Sequence, residues 1–166
     1  MHLETARLRI RDLTEGDAEF VLRLVTDEAF IANIADKGIR DIEGARAFLR
    51  DGSWTNANRP GHGMFALELR EAAGTPIGIG GILYREALDV TDVGYALLPE
   101  HRGHGYAFEA AEAMVRYGRS TLGVDQIVGM CAPGNAASIR TLEKLGMTFN
   151  RTVKMSDDDP GTVLYS

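Results

Sequence analysis

The sequence predicts a single domain of the α/β (α+β) class, in which one mixed sheet packs against helices. Three observations support this fold class. The chain has 166 residues, 45% apolar and 25% charged, as expected for one globular domain. Strand-like and helical periodicities both occur, but they do not alternate regularly enough for a Rossmann fold. No stretch rich in proline, glycine or serine is long enough to separate two domains.

The sequence of the N-terminal third predicts one strand, two helices and a loop. Apolar residues alternate with arginines over residues 7–11, which indicates a half-buried strand. A helix follows Thr14, because acidic residues and an apolar stripe of helical spacing come directly after this N-cap. Residues 36–38 predict a turn, and a second helix covers residues 42–49. The glycines and prolines of residues 51–63 indicate a loop.

Three strands follow in the middle of the chain. Residues 64–69 and 77–84 have the composition of strands, and residues 71–76 supply the turn of a hairpin between them. A third strand covers residues 93–98. It ends at Pro99, because proline has no N–H to donate to a neighbouring strand.

The C-terminal part predicts two more helices and three more strands. Small and apolar residues fall on one face of the first of these helices, so it can approach a sheet closely. In chain order the segments are a helix over residues 105–119, a strand over 126–131, a helix over 138–145 capped by Gly146, a strand over 148–155, a turn over 157–161 and a strand over 162–166.

The turn over residues 98–107 has the features of a site for a pyrophosphate. A strand ends there, a glycine-bearing loop follows and a helix begins, and the unpaired N–H groups of a helix start favour an anion. Gly103 and Gly105 have no side chain to keep a phosphate from the backbone. Positive charge beside the phosphate would come from His101, Arg102 and His104.

The residues of this turn also allow other interpretations. An ordinary glycine-containing connection is the simplest alternative. A P-loop requires Gly-Lys-Ser/Thr, which is absent, and the dinucleotide motif requires a third glycine where this chain has Phe108. His101 and His104 are three residues apart, but no third ligand lies near them in the sequence, so no metal is expected.

Three segments together resemble the GNAT superfamily of N-acetyltransferases. Glu100-His101-Arg102-Gly103-His104-Gly105 is similar to its acyl-CoA loop, Gln/Arg-x-x-Gly-x-Gly/Ala, with Glu100 as a departure. Residues 135–147 resemble the Asn-x-x-Ala/Ser segment that precedes Glu-Lys-x-Gly-Phe, with Met147 in place of the aromatic residue. The opening Glu4-Thr5-Ala6-Arg7-Leu8 resembles the start of the branch that acetylates ribosomal-protein N-termini.

The resemblance implies one GNAT-like domain over residues 1–166, with a mixed, mostly antiparallel sheet of about seven strands and about four helices. It also implies an N-acetyltransferase in which a primary amine attacks acetyl-CoA directly in a ternary complex. Acetyl-CoA is then the cosubstrate, and no metal is involved. The acceptor would be a small-molecule amine or the N-terminus of a protein or peptide. A non-catalytic acyl-CoA-binding module of the same fold is the alternative.

The resemblance also implies roles for particular residues. In the family a bulge before the loop frees backbone groups for the pantetheine arm, here those of Ala96, Leu97 and Leu98, and the Leu97 N–H would donate to the thioester carbonyl. Asp92 is the candidate general base, and Ser138 the candidate proton donor to the thiolate. The implied CoA-binding residues are Leu97, Leu98, His101, Arg102, Gly103, His104, Gly105, Tyr106, Ala107, Asn135 and Ser138.

Each of these roles has a structural alternative. Asp92 could be a solvated carboxylate at a strand start, with Glu68 and Glu86 as other candidate bases. Asn135 and Ser138 could cap a helix. The tyrosine acid of many family members is replaced by Leu142, with Tyr95 and Tyr106 as weaker substitutes. An acceptor ammonium could be attracted by Asp36, although aspartate also forms turns; the side chain of Trp54 would anchor the loop or line the acceptor site.

The net charge and the cysteine content limit which binding partners and which cellular compartment are expected. The net charge of −6 argues against nucleic acid, and the longest apolar run, residues 77–84, is too short to span a membrane. The N-terminus lacks the apolar core of a signal peptide. A single cysteine, Cys131, excludes a disulfide within the chain and fits the reducing cytoplasm. A homodimer is left open.

Overall fold

The computed structural model describes residues 1–52, 54–55, 58–157 and 159–166. Its strands are β1 (His2–Glu4), β2 (Leu8–Arg11), β3 (Gly63–Leu69), β4 (Pro76–Arg85), β5 (Val90–Leu97), β6 (Ile127–Cys131), β7 (Phe149–Val153) and β8 (Thr162–Tyr165). Its α-helices are α1 (Ala18–Val25), α2 (Glu28–Asn33), α3 (Ile42–Arg50), α4 (Tyr106–Ser120) and α5 (Ala136–Lys144). Short 3₁₀ turns cover Glu15–Asp17, Arg70–Ala72, Glu86–Leu88 and Pro99–His101.

The strands form one sheet in the order β1-β2-β3-β4-β5-β6-β8-β7. Strands β5 and β6 are parallel, and the other neighbouring pairs are antiparallel. This confirms the predicted mixed, mostly antiparallel sheet. The part of the chain described here contains eight strands and five helices, one of each more than predicted.

The two additional elements are the short ones, β1 and α2. Strand β1 has three residues and pairs along the edge of β2, with Glu4 opposite Arg9. Helix α2 has six residues, and the side chain of Asp27 caps it by accepting a hydrogen bond of 3.0 Å from the Phe30 N–H. Segments this short carry too few residues for a periodicity to be recognised.

The sheet separates two hydrophobic clusters. One lies under α4 and includes Val93 and Leu97 of β5. The other lies under α1 and α3 and includes Leu98. Because side chains alternate along a strand, Asp92, next to Val93, points to the face covered by α1 and α3. The fold therefore places the candidate base on the opposite face of the sheet from α4.

Several predicted turns are confirmed by their geometry. Gly38 has a φ of 71°, and its N–H donates to the Asp36 side chain at 2.9 Å. Strand β5 ends at Leu97, two residues before Pro99. Gly146, which follows α5 and its C-cap Leu145, has a φ of 84°. The predicted loop over residues 51–63 and turn over 157–161 include residues 53, 56, 57 and 158, which lie outside the described residues.

No helix in the described part of the chain has both the length and the apolar character needed to cross a membrane.

Candidate active site

The turn before α4 contains two glycines in the left-handed region. Gly103 and Gly105 have φ values of 78° and 82°, which favour glycine. Gly105 is the N-cap of α4 and provides no side chain to satisfy the first turn. A Cβ at Gly103 would have no atom within 4 Å, so the space there is open. No side chain therefore caps the first turn of α4, and an anion at this helix start stays a prediction.

The charged side chains of this turn are partly engaged by the protein itself. The Nε of Arg102 donates to the Leu97 carbonyl at 3.0 Å, and its Nη2 forms an ion pair with Asp27, the cap of α2. The ring of His104 stacks on Tyr106, with centroids 5.8 Å apart. Arg102 therefore ties the turn to α2, a role that sequence analysis did not identify.

Glu100, which departs from the family pattern, also links the turn to the helices on the other face. Its carboxylate forms an ion pair of 2.7 Å with Arg23 of α1. Both residues are largely exposed, so this pair contributes little to stability. Glu100 is thus paired with Arg23 of α1, so its negative charge is not left unpaired beside the predicted phosphate site.

The pairing of β5 with β6 ends at Val93 and Gly129, and the region between the two strands beyond this point is here named the slot. They are paired over Thr91–Val93 and Ile127–Gly129, after which β6 pairs with β8 and β5 continues to Leu97. The Leu98 N–H donates to Ile77 of β4 at 2.9 Å. Since N–H groups alternate in direction along an antiparallel strand, the Leu97 N–H points away from β4 and towards the slot.

This geometry changes the expectation of a bulge. The register of β4 and β5 runs without a shift from Gly78–Leu97 to Arg85–Val90. The free backbone at Leu97 arises because β6 diverges, and not from a bulge in β5. The Leu98 N–H is used by β4 and its side chain is buried, which leaves Leu98 the least accessible of the predicted CoA-binding residues. By the same alternation, the Ala96 N–H faces β4.

Asp92 lies at the point where the slot begins. Only 2% of its surface is exposed. Its Oδ2 accepts hydrogen bonds of 2.9 and 2.6 Å from the Nε and Nη2 of Arg85. Its Oδ1 is buried and has no hydrogen-bond partner among the described residues. Asp92 is therefore a buried carboxylate, and not the solvated one that was the alternative.

Burial raises the pKa of Asp92 above its ordinary value, and this effect exceeds the opposing effects of the Arg85 charge, the Arg85 hydrogen bonds and the nearby Met130 amide. A raised pKa brings a carboxylate closer to the range in which a general base works. The same features also occur in structural ion pairs, so the catalytic role of Asp92 stays a prediction.

Tyr95 connects β5 to α5 beside the slot. Its hydroxyl lies 2.9 Å from the Ser138 Oγ and 3.3 Å from the Ser138 carbonyl. Burial raises the pKa of Tyr95. The Asn135 side chain accepts the Ser138 N–H at 3.1 Å, which confirms the capping role of Asn135. The Ser138 hydroxyl takes no part in this cap, because the Ser138 backbone N–H donates the hydrogen bond.

Leu142, which replaces the family tyrosine, is part of the core. Its side chain is 1% exposed and packs on Gly129 of β6, where a Cβ would lie 2.2 Å from the Leu142 Cδ2. Leu142 therefore fills the core and supplies no proton donor at this position.

The other acidic candidates have partners or lie at the surface. Glu68 is 2% exposed and bound to Arg11 at 2.7 Å, in a network that includes Asp17. Asp36 forms an ion pair with Arg40, and its hydrogen bonds to Arg40 and Gly38 lower its pKa to about 2. Glu86 lies in an exposed turn.

Trp54 is buried and its ring lies edge-on to Phe48 of α3, with the two centroids 4.9 Å apart. The structure thus shows Trp54 as an anchor of its loop. In the described residues, no group of three or more His, Cys, Asp or Glu side chains is arranged to hold a metal ion.

Sequence analysis missed Arg85 as the partner of Asp92. A signal was available, because the hairpin between β4 and β5 pairs Leu83 with Asp92 and so places Arg85 and Asp92 on one face. Arg7 was also missed as a residue near the phosphate turn. It lies more than ninety positions away in the chain, and no local pattern reports such a contact.

Comparison with known proteins identifies the family. A family model described as an acetyltransferase (GNAT) domain matches residues 7–148. The uncharacterized N-acetyltransferase YnaD of Bacillus subtilis is 30% identical over 149 residues, which cover 89% of this chain and 82% of that protein.

Solved structures share the fold. An acetyltransferase of the GNAT family from Bacillus anthracis superposes with a TM-score of 0.80 at 24% identity, covering 99% of this chain and 96% of that one. RimL, an acetyltransferase of the α-amino group of a ribosomal protein solved in complex with coenzyme A, superposes with a TM-score of 0.77 at 17% identity, covering 97% and 93%.

Proposed function

We propose, on the premise that this chain belongs to the acetyltransferase (GNAT) family and is an acetyl-CoA-dependent acyltransferase, that it acetylates a primary amine by direct attack in a ternary complex. The observation that carries this proposal is the slot between β5 and β6, which begins at a buried carboxylate and ends at an uncapped helix start.

The residues around the slot fit acetyl-CoA. The open glycine turn at Gly103 and Gly105 would hold the pyrophosphate on the first N–H groups of α4, including those of Tyr106 and Ala107. The free edge of β5 at Leu97 would pair with the amide-bearing arm. Additional positive charge would come from His101 and His104, and from Arg102 once it leaves Asp27.

Acetyl-CoA supplies an activated acyl group, and the protein supplies a donor, a base and an acid. We propose that the Leu97 N–H donates to the acyl oxygen as negative charge develops on it. Asp92, whose buried Oδ1 has no hydrogen-bond partner among the described residues, accepts the proton of the amine through a water molecule. As the C–S bond breaks, Ser138 donates a proton to the departing thiolate and regains one from water, and Tyr95 is placed to polarise that hydroxyl.

The acceptor would approach from the face covered by α1 and α3, because the Asp92 side chain points there. Acceptors of two kinds are compatible with this proposal, a small-molecule amine and the N-terminus of a peptide. The opening Glu4-Thr5-Ala6-Arg7-Leu8 and the similarity to RimL support the peptide. The single thiol, Cys131, supports the cytoplasm as the compartment.

The test is release of the CoA thiol when the chain is mixed with acetyl-CoA and a panel of amines and N-terminal peptides. We expect turnover with at least one acceptor, and loss of that turnover in Asp92→Asn. Binding of acetyl-CoA without turnover across the whole panel would instead favour the acyl-CoA-binding module.

A further inference from the structure

Arg7, which lies between β1 and β2, contacts the phosphate turn and the first turn of α4 at three points. Its Nε donates to the Glu109 Oε2 at 2.6 Å, and its Nη1 donates to the His104 carbonyl at 2.9 Å. Its guanidinium carbon lies 4.6 Å from the centre of the Tyr106 ring. A Cβ built at Gly105 would lie 3.4 Å from its Nη2. One side chain thus spans the turn and the first residues of α4.

Glu109, the acidic residue in the first turn of α4, is held away from solvent by the same N-terminal segment. Its Oε1 accepts from the Arg7 N–H at 2.7 Å and from the Thr5 hydroxyl at 2.5 Å. Its side chain is only 14% exposed. Burial alone would raise the pKa of Glu109, but the hydrogen bonds from Thr5 and Arg7 lower it overall, so the carboxylate is charged at neutral pH.

The bond to His104 has a consequence for the next peptide group. In a trans peptide the C=O of one residue and the N–H of the next point in opposite directions. Arg7 fixes the His104 carbonyl, and it therefore also fixes the Gly105 N–H on the opposite side of the peptide. The Gly105 N–H directly precedes those of Tyr106 and Ala107, which are proposed to receive the pyrophosphate, and would extend that set.

The bond to Glu109 has an electrostatic consequence. An unpaired carboxylate within the first helical turn would repel a pyrophosphate bound at the helix start. Arg7 neutralises this charge with a close ion pair and, with Thr5, holds it against the connection between β1 and β2. Glu109 can therefore remain in the first turn without opposing the ligand.

We infer that Arg7 is a positioning residue for the phosphate turn, which aims the Gly105 N–H and neutralises Glu109 so that the turn can bind the pyrophosphate of CoA. The inference rests on the proposed function. It also gives a physical role to the Arg7 of the opening segment, which the proposed chemistry leaves unused.

Calorimetric titration of CoA into the full chain tests this role. Arg7→Met keeps the aliphatic length but removes both bonds, and we expect CoA affinity to fall about tenfold, the size of a lost hydrogen bond to a charged group. The matched control is Arg9→Met, because Arg9 lies two residues along and binds Glu4. The control should keep its affinity within about twofold.

A second substitution separates positioning from direct contact with the ligand. If Arg7 acts partly by neutralising Glu109, then adding Glu109→Gln to Arg7→Met should recover about threefold of the lost affinity. If the double variant binds CoA no better than Arg7→Met alone, Arg7 touches the phosphate itself or acts otherwise, and the inference is wrong.

Kinetics with two acyl donors exclude a purely structural effect. With the best amine of the panel, Arg7→Met should raise KM for acetyl-CoA and leave kcat unchanged. Turnover of S-acetylpantetheine, which lacks the pyrophosphate, should be unaffected. An equal loss with both donors would overturn the inference, because a general structural defect does not distinguish them.

Further measurements separate a failure of this inference from a folding defect and from a failure of the proposed function. If Arg7→Met fails to fold, Arg7→Lys keeps the charge but cannot bridge Glu109 and His104, and we expect a loss of about threefold. Unchanged CoA affinity in a folded Arg7 variant would refute the inference alone. Absence of CoA binding by the unsubstituted chain would refute the proposed function, and the inference with it.

Discussion

Arg85 holds Asp92 by two hydrogen bonds to one carboxylate oxygen, Oδ2, and leaves Oδ1 buried without a partner among the described residues. The arrangement orients the carboxylate and opposes the rise in pKa that burial causes. The pKa of a base at this position is thus set by two competing effects, since burial raises it and the neighbouring Arg85 cation lowers it.

The first prediction concerns the pH profile. Arg85 lowers the pKa of Asp92, so its replacement in Arg85→Met should raise that pKa further. A base acts when deprotonated, so activity rises with pH through its pKa, and the acidic limb of the kcat profile should move up by about one pH unit. Asp92→Asn should remove the limb and lower kcat by about a hundredfold or more.

A matched arginine provides the control for this shift. Arg59 stacks on Tyr84, with its guanidinium carbon 3.4 Å from the ring centre, on the other face of β4. Arg59→Met should leave the acidic limb in place. An unmoved limb in Arg85→Met would rule out Asp92 as the titrating base.

The second prediction tests the phosphate turn. Gly105→Glu places a bulky negative side chain at the start of α4 and should abolish CoA binding in calorimetry. Gly74 has a similar φ of 88° and lies in the turn before β4. Gly74→Glu therefore carries the same backbone strain, about 1–2 kcal/mol, without the charge at the site. Equal CoA affinities in the two variants would refute the turn assignment.

The third prediction concerns Asp27, which caps α2 and pairs with Arg102. Asp27→Asn keeps a good cap but removes the charge that holds Arg102. Released Arg102 should tighten CoA binding by about two- to fivefold, since a partly exposed ion pair contributes up to about 1 kcal/mol. Asp41 caps α3 through the Gly44 N–H, and Asp41→Asn is the control that should change nothing. Weaker CoA binding in Asp27→Asn would mean that Arg102 helps the site through its ion pair.

The fourth prediction tests the proton donor. Ser138→Ala should lower kcat about tenfold with little change in KM for acetyl-CoA. The α5 cap should survive, because Asn135 accepts the Ser138 backbone N–H. Ser120→Ala, at the exposed end of α4, is the control. A kcat unchanged by Ser138→Ala would mean that the thiolate leaves without this acid.

The fifth prediction addresses the missing tyrosine. Leu142→Tyr should not restore a proton donor, since the side chain would enter the packed core against Gly129. The free energy of unfolding should fall by about 1–3 kcal/mol in urea titration. Lys144→Tyr, on the exposed side of the same helix, should cost less than about 0.5 kcal/mol. A stable and faster Leu142→Tyr variant would contradict this account of the position.

The long elements could be predicted because their periodicity extends over several turns or several strand residues. Helix α4 and strands β3 to β5 are of this kind, and the structure confirms them within a few residues. Helix α2 was missed because its six residues depend on one cap, Asp27, and on one buried side chain, Phe30.

The candidate site was predictable where local backbone conformation determines it. Gly103 and Gly105 adopt the positive φ that only glycine takes readily, and Asn135 caps the helix that follows it. Contacts between distant segments were not predictable. The pairing of Arg102 with Asp27 and of Arg7 with Glu109 joins residues whose proximity depends on the complete fold.

The parallel pairing of β5 with β6 is short, so the sheet consists of two parts that are joined by few residue pairs. Three residue pairs connect the five strands on one side to the C-terminal unit of β6, α5, β7 and β8. A ligand lying along the free edge of β5 and touching α5 would act as an additional strand across this seam. Hydrogen exchange in β6 and α5 should therefore slow on CoA binding more than exchange in β2, so that the cosubstrate would serve as a mechanical link between the two halves of the sheet.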